Sequence, residues 1–227
     1  KSNQHIIKVE KIRVSQGSKI VLRDIDMLIE DKEVIALFGP SGHGKAIMLR
    51  AFNRLFNQDL SYKITGEIFL DNESTANMSV VKLRQNIGMV FSAPNLFSMS
   101  IYENLALGLR LDRITDVRTI HQRIRHALME IHLWDKFHKR LQEPIDALSV
   151  EEQQLLCLAR TLILKPKVIL MDKSTSCLNS SAKSRFERLI FELKQKYTII
   201  VTVEDREQAG RISDKVAFFY KGQLVEY

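Results

Sequence analysis

The fold of this chain is decided by the sequence VIALFGPSGHGK, which runs from Val34 to Lys45. Its first five residues form a short, continuous apolar run, typical of a strand that is covered on both faces. Its last seven, from Gly39 to Lys45, satisfy the GxxxxGK pattern of a phosphate-binding loop between a strand and a helix. Glycines allow successive backbone N–H groups to face phosphate oxygens, the helix start adds its positive dipole, and Lys45 reaches the outer phosphates. The stretch predicts an α/β protein of the P-loop nucleotide-binding class, and a glycine-rich turn without a ligand is the alternative.

The sequence on either side of this loop predicts a sheet with helical connections. Upstream, residues 6–14 and 20–29 predict two strands that form an antiparallel pair around a Gly17-Ser18 turn. Downstream, strands are predicted at residues 66–70, 87–91, 168–171, 198–202 and 215–220, and helices at 46–56 and 182–196. Because strands and helices alternate in the last third of the chain, we expect parallel pairing with right-handed crossovers there.

The middle of the chain has a different pattern, which is helical from residue 101 to about 164. Apolar residues recur at helical spacing at Val117, Ile120, Ile124, Leu128 and Ile131. A further helix is predicted over residues 153–164. We therefore predict a single nucleotide-binding domain, residues 1–227. Its α/β core, residues 1–92 and 165–227, includes an antiparallel β subdomain, and a helical lobe, about residues 93–164, is inserted into it.

The composition of the chain suits a globular protein. Its 227 residues are 45% hydrophobic and 27% charged, which is enough apolar content to bury a substantial core. No apolar stretch approaches the roughly 20 residues that cross a bilayer. The chain begins Lys1-Ser2-Asn3-Gln4 without an apolar run behind a basic start, so no secretory signal is visible. We expect a soluble, cytoplasmic chain.

Charge, cysteines and histidines carry weaker information. The net charge of +7 leaves open nucleic acid, an anionic membrane surface, a polyanionic ligand, or a charged surface without a specific partner. Since no zinc-finger or RNA-recognition pattern accompanies the basic residues, no specific nucleic acid is expected. Cys157 and Cys177 form no CxxC pair and are interpreted as buried or incidental thiols. His121, His126, His132 and His138 lack metal-ligand spacing and are assigned to solvated helix faces.

A second buried strand ends at a carboxylate, and this pattern predicts a metal-binding position. The run from Val168 to Met171 is apolar and ends at Asp172, the arrangement that puts a carboxylate beside the magnesium ion of a P-loop protein. However, the residue after the loop lysine, normally a magnesium-ligating Ser or Thr, is Ala46. The predicted metal site therefore rests on Asp172 and lacks one ligand.

Together these motifs resemble the ATP-binding-cassette ATPase subunits of membrane transporters, and most closely the ATP-binding subunit of bacterial phosphate importers. Beyond the loop, the resemblance is carried by residues 87–91 (IGMVF), 94–95 (PN), 99–104 (MSIYEN), 148–149 (LS), 153–154 (QQ), 156–160 (LCLAR), 175–176 (TS), 212–214 (ISD) and 217–220 (AFFY). It extends nearly from end to end in the expected order.

The resemblance implies a peripheral subunit on the inner face of the cell membrane that binds ATP and Mg²⁺. Its expected partners are permease membrane subunits and a second ATPase subunit, in a homodimer or a heterodimer. Each nucleotide would lie between the phosphate loop of one subunit and the signature helix of the other. The nucleotide-binding residues it implies are Gly39, Pro40, Ser41, Gly42, His43, Gly44, Lys45, Ala46, Ile47 and Ser149. The permease's coupling helix would bind near residues 94–102.

The signature segment departs from the family pattern. The family has LSGGQ, whose serine side chain and glycine amides hold the partner's γ-phosphate, whereas this chain has LSVEE at residues 148–152. Side chains replace glycines where backbone must approach closely. Glu151 and Glu152 also add negative charge at a position that should attract an anion. We expect ATP-driven dimer closure to be weakened.

The catalytic positions depart from the pattern as well. The glutamate expected after Asp172 is Lys173, which cannot accept a proton from water but could pair with Asp172 or a phosphate. The glutamine that reaches magnesium and water is replaced by Ser92, and the switch histidine by Val203. Asn179 replaces the interface aspartate. The aromatic residue that stacks on adenine is absent from the segment Val14, Ser15 and Gln16.

These departures predict weak ATP binding and impaired hydrolysis. Loss of one acid–base group typically costs about 10²–10⁴-fold in rate, and such losses do not add. Two alternatives stay open: a non-enzymatic regulatory or interaction protein on the same fold, and an ordinary phosphate-transporting ATPase that uses substitute residues. A nucleic-acid-associated ATPase rests on the basic charge alone.

Overall fold

The structure is a computed structural model that describes residues 5–56 and 61–227. In these ranges the strands are β1 (His5–Gln16), β2 (Lys19–Glu30), β3 (Val34–Phe38), β4 (Tyr62–Leu70), β5 (Glu73–Ser74), β6 (Ile87–Val90), β7 (Val168–Asp172), β8 (Thr198–Thr202), β9 (Lys215–Tyr220) and β10 (Gln223–Glu226). The α-helices are α1 (Lys45–Phe52), α2 (Val80–Asn86), α3 (Ile101–Leu111), α4 (Val117–Glu130), α5 (Trp134–Phe137), α6 (Val150–Leu162), α7 (Ser180–Leu193) and α8 (Arg206–Ile212).

The strands form two sheets. The first is antiparallel, with the order β2-β1-β4-β5, and its β1–β2 hairpin turns at Gly17, as predicted. The second has the order β10-β9-β3-β8-β7-β6, in which β9, β3, β8, β7 and β6 are mutually parallel. The predicted parallel pairing is therefore confirmed, with β3 between β8 and β9. All five parallel strands end at the same edge, which is where the phosphate loop begins.

The continuous apolar run of β3 has a clear physical cause, because both faces of the parallel sheet are covered. Val34 and Ala36 pack into a core with the helices between residues 101 and 163 and with α7 and α8. Ile35 and Leu37 point to the other face and pack into a second core with α1 and the antiparallel sheet. Alternate side chains of one strand thus belong to different cores.

Helices occupy most of residues 101–162. Ile120, Ile124 and Leu128 form the buried face of α4, as their spacing predicts, whereas Val117 in its first turn is exposed. Serine or aspartate side chains cap α3, α4 and α6 by accepting a hydrogen bond from the third helical N–H. The four histidines assigned to solvated helix faces are exposed. Cys157 is buried, and this burial raises the pKa of its thiol.

The differences from the predicted elements are local. The helix predicted over residues 46–56 ends at Phe52, and Arg54 in the following turn has a φ of 53°. Two seven-residue helices, α2 and α8, are absent from the prediction because two turns are too short to show a periodic pattern.

Among the described residues, no helix combines the length and apolar character that crossing a membrane requires.

Candidate nucleotide site

The loop between β3 and α1 has the backbone of a phosphate cradle. Gly39, Gly42 and Gly44 have φ values of 135°, 79° and 109°, a region that favours glycine. A Cβ atom on Gly39 would lie 2.1 Å from the carbonyl oxygen of Phe219, because β9 passes directly beside the loop. Gly44 is the N-cap of α1 and offers no side chain as a cap. The first N–H groups of α1 are therefore available to an anion at its N-terminus.

Lys45 lies inside this loop rather than in solvent. It is 4% exposed, and its Nζ donates hydrogen bonds to the carbonyl oxygens of Gly39 and Pro40, the second at 2.9 Å. Burial, followed by the nearby ammonium of Lys173, lowers the pKa of Lys45, while Glu204 and Asp172 oppose that shift. The amine is thus held at the floor of the cradle, where an incoming phosphate would add a favourable partner.

His43 connects the loop to the last hairpin of the chain. Its Nδ1 accepts a hydrogen bond from the Lys221 N–H at 3.1 Å, and its carbonyl oxygen accepts one from Gly222 at 3.2 Å. Its ring centroid lies 5.0 Å from that of Tyr220. The side chain of His43 therefore anchors the loop against the β9–β10 turn.

Asp172 lies at the carboxyl end of β7, beside the loop. Its carboxylate accepts a hydrogen bond from the Thr202 hydroxyl at 2.9 Å, and the oxygen of that hydroxyl accepts one from the Lys173 N–H at 2.8 Å. Lys173 has a φ of 46°, which is unusual for a residue with a side chain. Thr202 at the end of β8 thus holds the Asp172–Lys173 turn in place.

The side chain of Lys173 pairs with Glu204 and not with Asp172. Its Nζ lies 2.5 Å from Glu204 Oε1 and 3.4 Å from the Ser41 hydroxyl oxygen. The hydrogen bond from Lys173 lowers the pKa of Glu204, with a smaller contribution from Lys45. Sequence reasoning missed Glu204, since no motif marks it and its contact with Lys173 spans 31 residues.

A cleft of about 290 Å³ brings these groups together. It is lined by Gln16, Lys19, Val21, Ser41, Gly42, Gly44, Lys45, Ala46, Ile47, Asp172, Lys173 and Thr202. Lys19, Val21 and Thr202 were not predicted, although Lys19 directly follows the Gly17-Ser18 turn. Gln16 lines the cleft where the family pattern has an aromatic residue for adenine, and Val14 is fully buried.

Two of the replaced catalytic positions lie outside this cleft. Val203 is 2% exposed, and its N–H donates a hydrogen bond to Leu37 O at 3.1 Å, so its side chain belongs to the core. Ser92 is half-buried after β6, and its carbonyl oxygen accepts a hydrogen bond from the Ser176 hydroxyl at 3.5 Å. Neither side chain substitutes for the group that the family pattern requires.

The start of α6 is closed by its own residues. The Glu152 carboxylate accepts hydrogen bonds from the Ser149 N–H at 2.7 Å and from its hydroxyl at 2.8 Å, while the Ser149 oxygen accepts one from the Glu152 N–H at 3.3 Å. Burial opposes ionisation of Glu152, but the Lys136 ammonium and the Ser149 donors lower its pKa. This capping box, readable in the sequence as S-x-x-E, was missed.

Glu151 also has an intramolecular partner. Its two oxygens accept hydrogen bonds from Arg185 Nε and Nη2 at 2.9 and 2.8 Å. The negative charges predicted to repel a triphosphate are therefore compensated within the chain. The Ser149 hydroxyl, which the resemblance assigns to the partner's phosphate, instead donates to the Glu152 carboxylate.

Loop, strand and helix together define a P-loop nucleotide-binding site. Residues 22–176 match the model of the ABC transporter family. The chain therefore belongs to the ABC transporter family, as an ATPase subunit of its nucleotide-binding type.

Curated relatives and solved structures agree with this family. The chain is 45% identical over 213 residues to the phosphate import ATP-binding protein PstB of Bacteroides fragilis, covering 93% of this chain and 84% of that protein. It is 44% identical to PstB of Bacteroides thetaiotaomicron, with the same coverage of both proteins.

The cbiO1 structure from Clostridium perfringens, part of the ABC transporter complex cbiONQ, has 26% identity and a TM-score of 0.85 over 98% of this chain and 88% of its own. An ATP-bound bacterial Atm1-family ABC exporter has 21% identity and a TM-score of 0.81, with 99% of this chain matching 38% of the exporter, which supports the fold alone.

ATP and Mg²⁺ are the cofactors that the family implies, and the residues present suit them unequally. The loop amides and Lys45 suit the phosphates of ATP. Mg²⁺ is usually held by one or two protein oxygen ligands together with phosphate oxygens and waters, and here Ala46 supplies a methyl group where the family has a hydroxyl. The described residues contain no cluster of three or more His, Cys, Asp or Glu side chains suited to a metal. With Ala46 in place of the hydroxyl, Asp172 is the one acidic side chain among the described residues that line the cleft, so the donor set suits Mg²⁺ less well than it suits the phosphates.

Proposed function

We propose that this protein is the nucleotide-binding subunit of a phosphate-import ABC transporter, which binds ATP weakly and hydrolyses it poorly. The phosphate-import assignment is supported by the 45% identity to PstB over most of both chains. Under this proposal residues 1–227 form one nucleotide-binding domain, with its core at 1–92 and 165–227 and its helical lobe at about 93–164. It acts at the inner face of the cell membrane, beside permease subunits and a second ATPase subunit.

Impaired hydrolysis is supported chiefly by the ion pair between Lys173 and Glu204. An ammonium at the position of the catalytic glutamate cannot take a proton from the attacking water. Glu204 carries a carboxylate, but Lys173 lies against it and lowers its pKa, which weakens it as a base. Loss of one general base costs about 10²–10⁴-fold in rate. The residual turnover is expected to be slow even with bound nucleotide.

A non-enzymatic regulatory protein on this fold is the second candidate, and the capping box at Ser149 favours it. In the family arrangement a partner's phosphate would use the serine hydroxyl and the amides of the residues that follow it. Here the Glu152 carboxylate already accepts the hydrogen bond from the Ser149 hydroxyl. A dimer closed by shared ATP would have to displace that carboxylate. If the carboxylate stays in place, the chain would bind its partner without any effect of ATP.

The test measures Mg²⁺-dependent ATP hydrolysis by the purified chain and by Lys45→Ala as the matched control. We expect the two rates to be equal, with ATP binding detectable only in the unmodified chain. A turnover near one per second, an ordinary enzyme rate, that Lys45→Ala abolishes would refute the proposal and leave an ordinary transport ATPase.

Coexpression with permease subunits separates the two candidates. Co-purification that ATP modulates supports the importer subunit. A stable partner complex that ATP leaves unchanged supports the regulatory protein.

A further inference from the structure

We propose that the cleft binds the polyphosphate of a nucleotide without a divalent cation, and that the ammonium of Lys173 supplies positive charge in its place. The inference rests on the proposed function, because it specifies which form of ATP the same site takes. The ligand is metal-free ATP, or another nucleoside triphosphate without Mg²⁺.

The first part of the case is the donor set at the metal position. Ala46 is the second residue of α1 and lines the cleft with a methyl group. The Asp172 carboxylate accepts a hydrogen bond from the Thr202 hydroxyl at 2.9 Å, which engages one of the two carboxylate oxygens. Ser92 does not line the cleft at all. Because the hydroxyl is missing and the Asp172 carboxylate is partly engaged, an ion in the cleft would depend mainly on phosphate oxygens and waters, which makes this a weaker metal site than the family pattern provides.

The second part is the location of the Lys173 ammonium. Its Nζ lies 3.4 Å from the Ser41 hydroxyl, so the charge already stands at the phosphate loop. Its side chain is 31% exposed, which leaves it room to turn toward a ligand in the cleft. The positive φ of Lys173 and the hydrogen bond from its N–H to Thr202 hold the backbone from which it reaches.

The third part is the balance of charge. Lys45, Asp172 and Glu204 surround the Lys173 ammonium, and Lys19 also lines the cleft, so the charges of these five groups leave a net charge of about +1 when all are ionised. The Glu204 side chain is 57% exposed, and ion pairs at exposed positions contribute little free energy because water competes for both charges. Breaking the Lys173–Glu204 ion pair therefore costs little free energy when a phosphate, which carries more negative charge, binds Lys173 instead.

A magnesium ion would act against this arrangement. Free ATP carries about four negative charges and Mg²⁺ cancels two of them, which reduces the attraction to Lys45 and Lys173. The ion would also face an ammonium instead of the usual carboxylate. Metal-free ATP is thus the form that the two lysines favour.

Isothermal titration of the purified chain with ATP, once in EDTA and once in excess Mg²⁺, tests the proposal. We expect binding in EDTA to be as tight as in Mg²⁺ or tighter. In EDTA, Lys173→Gln should weaken binding by about tenfold, the usual effect of losing a charge-assisted hydrogen bond. Lys139→Gln, which removes an exposed lysine outside the cleft, should leave it unchanged. Sodium tripolyphosphate should compete with ATP.

A second variant separates the role of the charge from any damage to the fold. Lys173→Glu should reverse the preference, so that ATP binds more tightly in Mg²⁺ than in EDTA, and a misfolded protein would not show such a reversal. Unmodified protein that binds ATP only in Mg²⁺ would overturn this inference and leave the proposed function standing. An unchanged affinity of Lys173→Gln in EDTA would also overturn it, and no ATP binding in either buffer would overturn both proposals.

Discussion

The substitution Gly39→Ala tests whether close packing against β9 holds the phosphate loop in place. The new Cβ would lie 2.1 Å from the Phe219 carbonyl oxygen, well under the 3.0 Å that real Cβ contacts respect. The atom it meets belongs to the backbone of β9, which is paired on both sides in the sheet, so no side-chain rotation relieves the clash. Loop and strand must instead separate by roughly 1 Å, in a core where such displacement is resisted.

Gly42→Ala provides the matched control in the same loop. Gly42 also has a positive φ, 79°, but a Cβ there would meet nothing within 4 Å. Both substitutions therefore incur backbone strain of about 1–3 kcal/mol. Only Gly39→Ala adds an overpacking cost, typically about 1–3 kcal/mol. We expect the free energy of unfolding to fall by about 2–6 kcal/mol in Gly39→Ala and by about 1–3 kcal/mol in Gly42→Ala.

Urea denaturation followed by circular dichroism measures both free energies of unfolding, with the m-value checked for a change in unfolding behaviour. Equal losses in the two variants would refute the argument, because the contact with Phe219 would then contribute nothing. A larger loss in Gly42→Ala would show that the loop is constrained somewhere other than at β9.

Three further predictions follow from single contacts. Ser149→Ala removes the N-cap of α6 and should lower the free energy of unfolding by about 0.5–2 kcal/mol in the same urea assay; no loss would mean that the capping box is not formed in solution. Glu151→Ala breaks an exposed pair with Arg185 and should cost at most about 1 kcal/mol, so a larger loss would contradict that assignment. Burial opposes ionisation of Asp214, but Lys194 and the Val34 N–H lower its pKa; a depressed folded pKa means that its stabilisation is present above the unfolded pKa and is lost as pH falls through the folded one. Asp214→Asn should therefore flatten the decline of the urea midpoint as pH falls from about 5 to about 2, a range that spans the unfolded pKa of about 3.9 and extends below it, and an unchanged decline would contradict the assignment.

Most of the parallel core could be predicted because its pattern is local. Each buried strand is a short apolar run, and the loop after β3 combines glycines and a lysine whose spacing is meaningful within seven residues. Helix α4 was predicted from its periodicity for the same reason. Short elements such as α2 and α8 escaped because two turns hold too few apolar positions to distinguish a helix from a loop.

By itself the sequence determined the phosphate cradle, the parallel strands around it, and the missing chemical groups at positions 46, 92, 173 and 203. These depend on residue type and spacing along the chain. Only the tertiary structure decided which groups the Lys173 side chain contacts, because its partners Ser41 and Glu204 lie 132 and 31 residues away along the chain. The structure also shows that the Glu151 carboxylate pairs with Arg185, which lies 34 residues away along the chain. Charge partners follow from how the sheet edge and helices assemble in space, which no local pattern encodes.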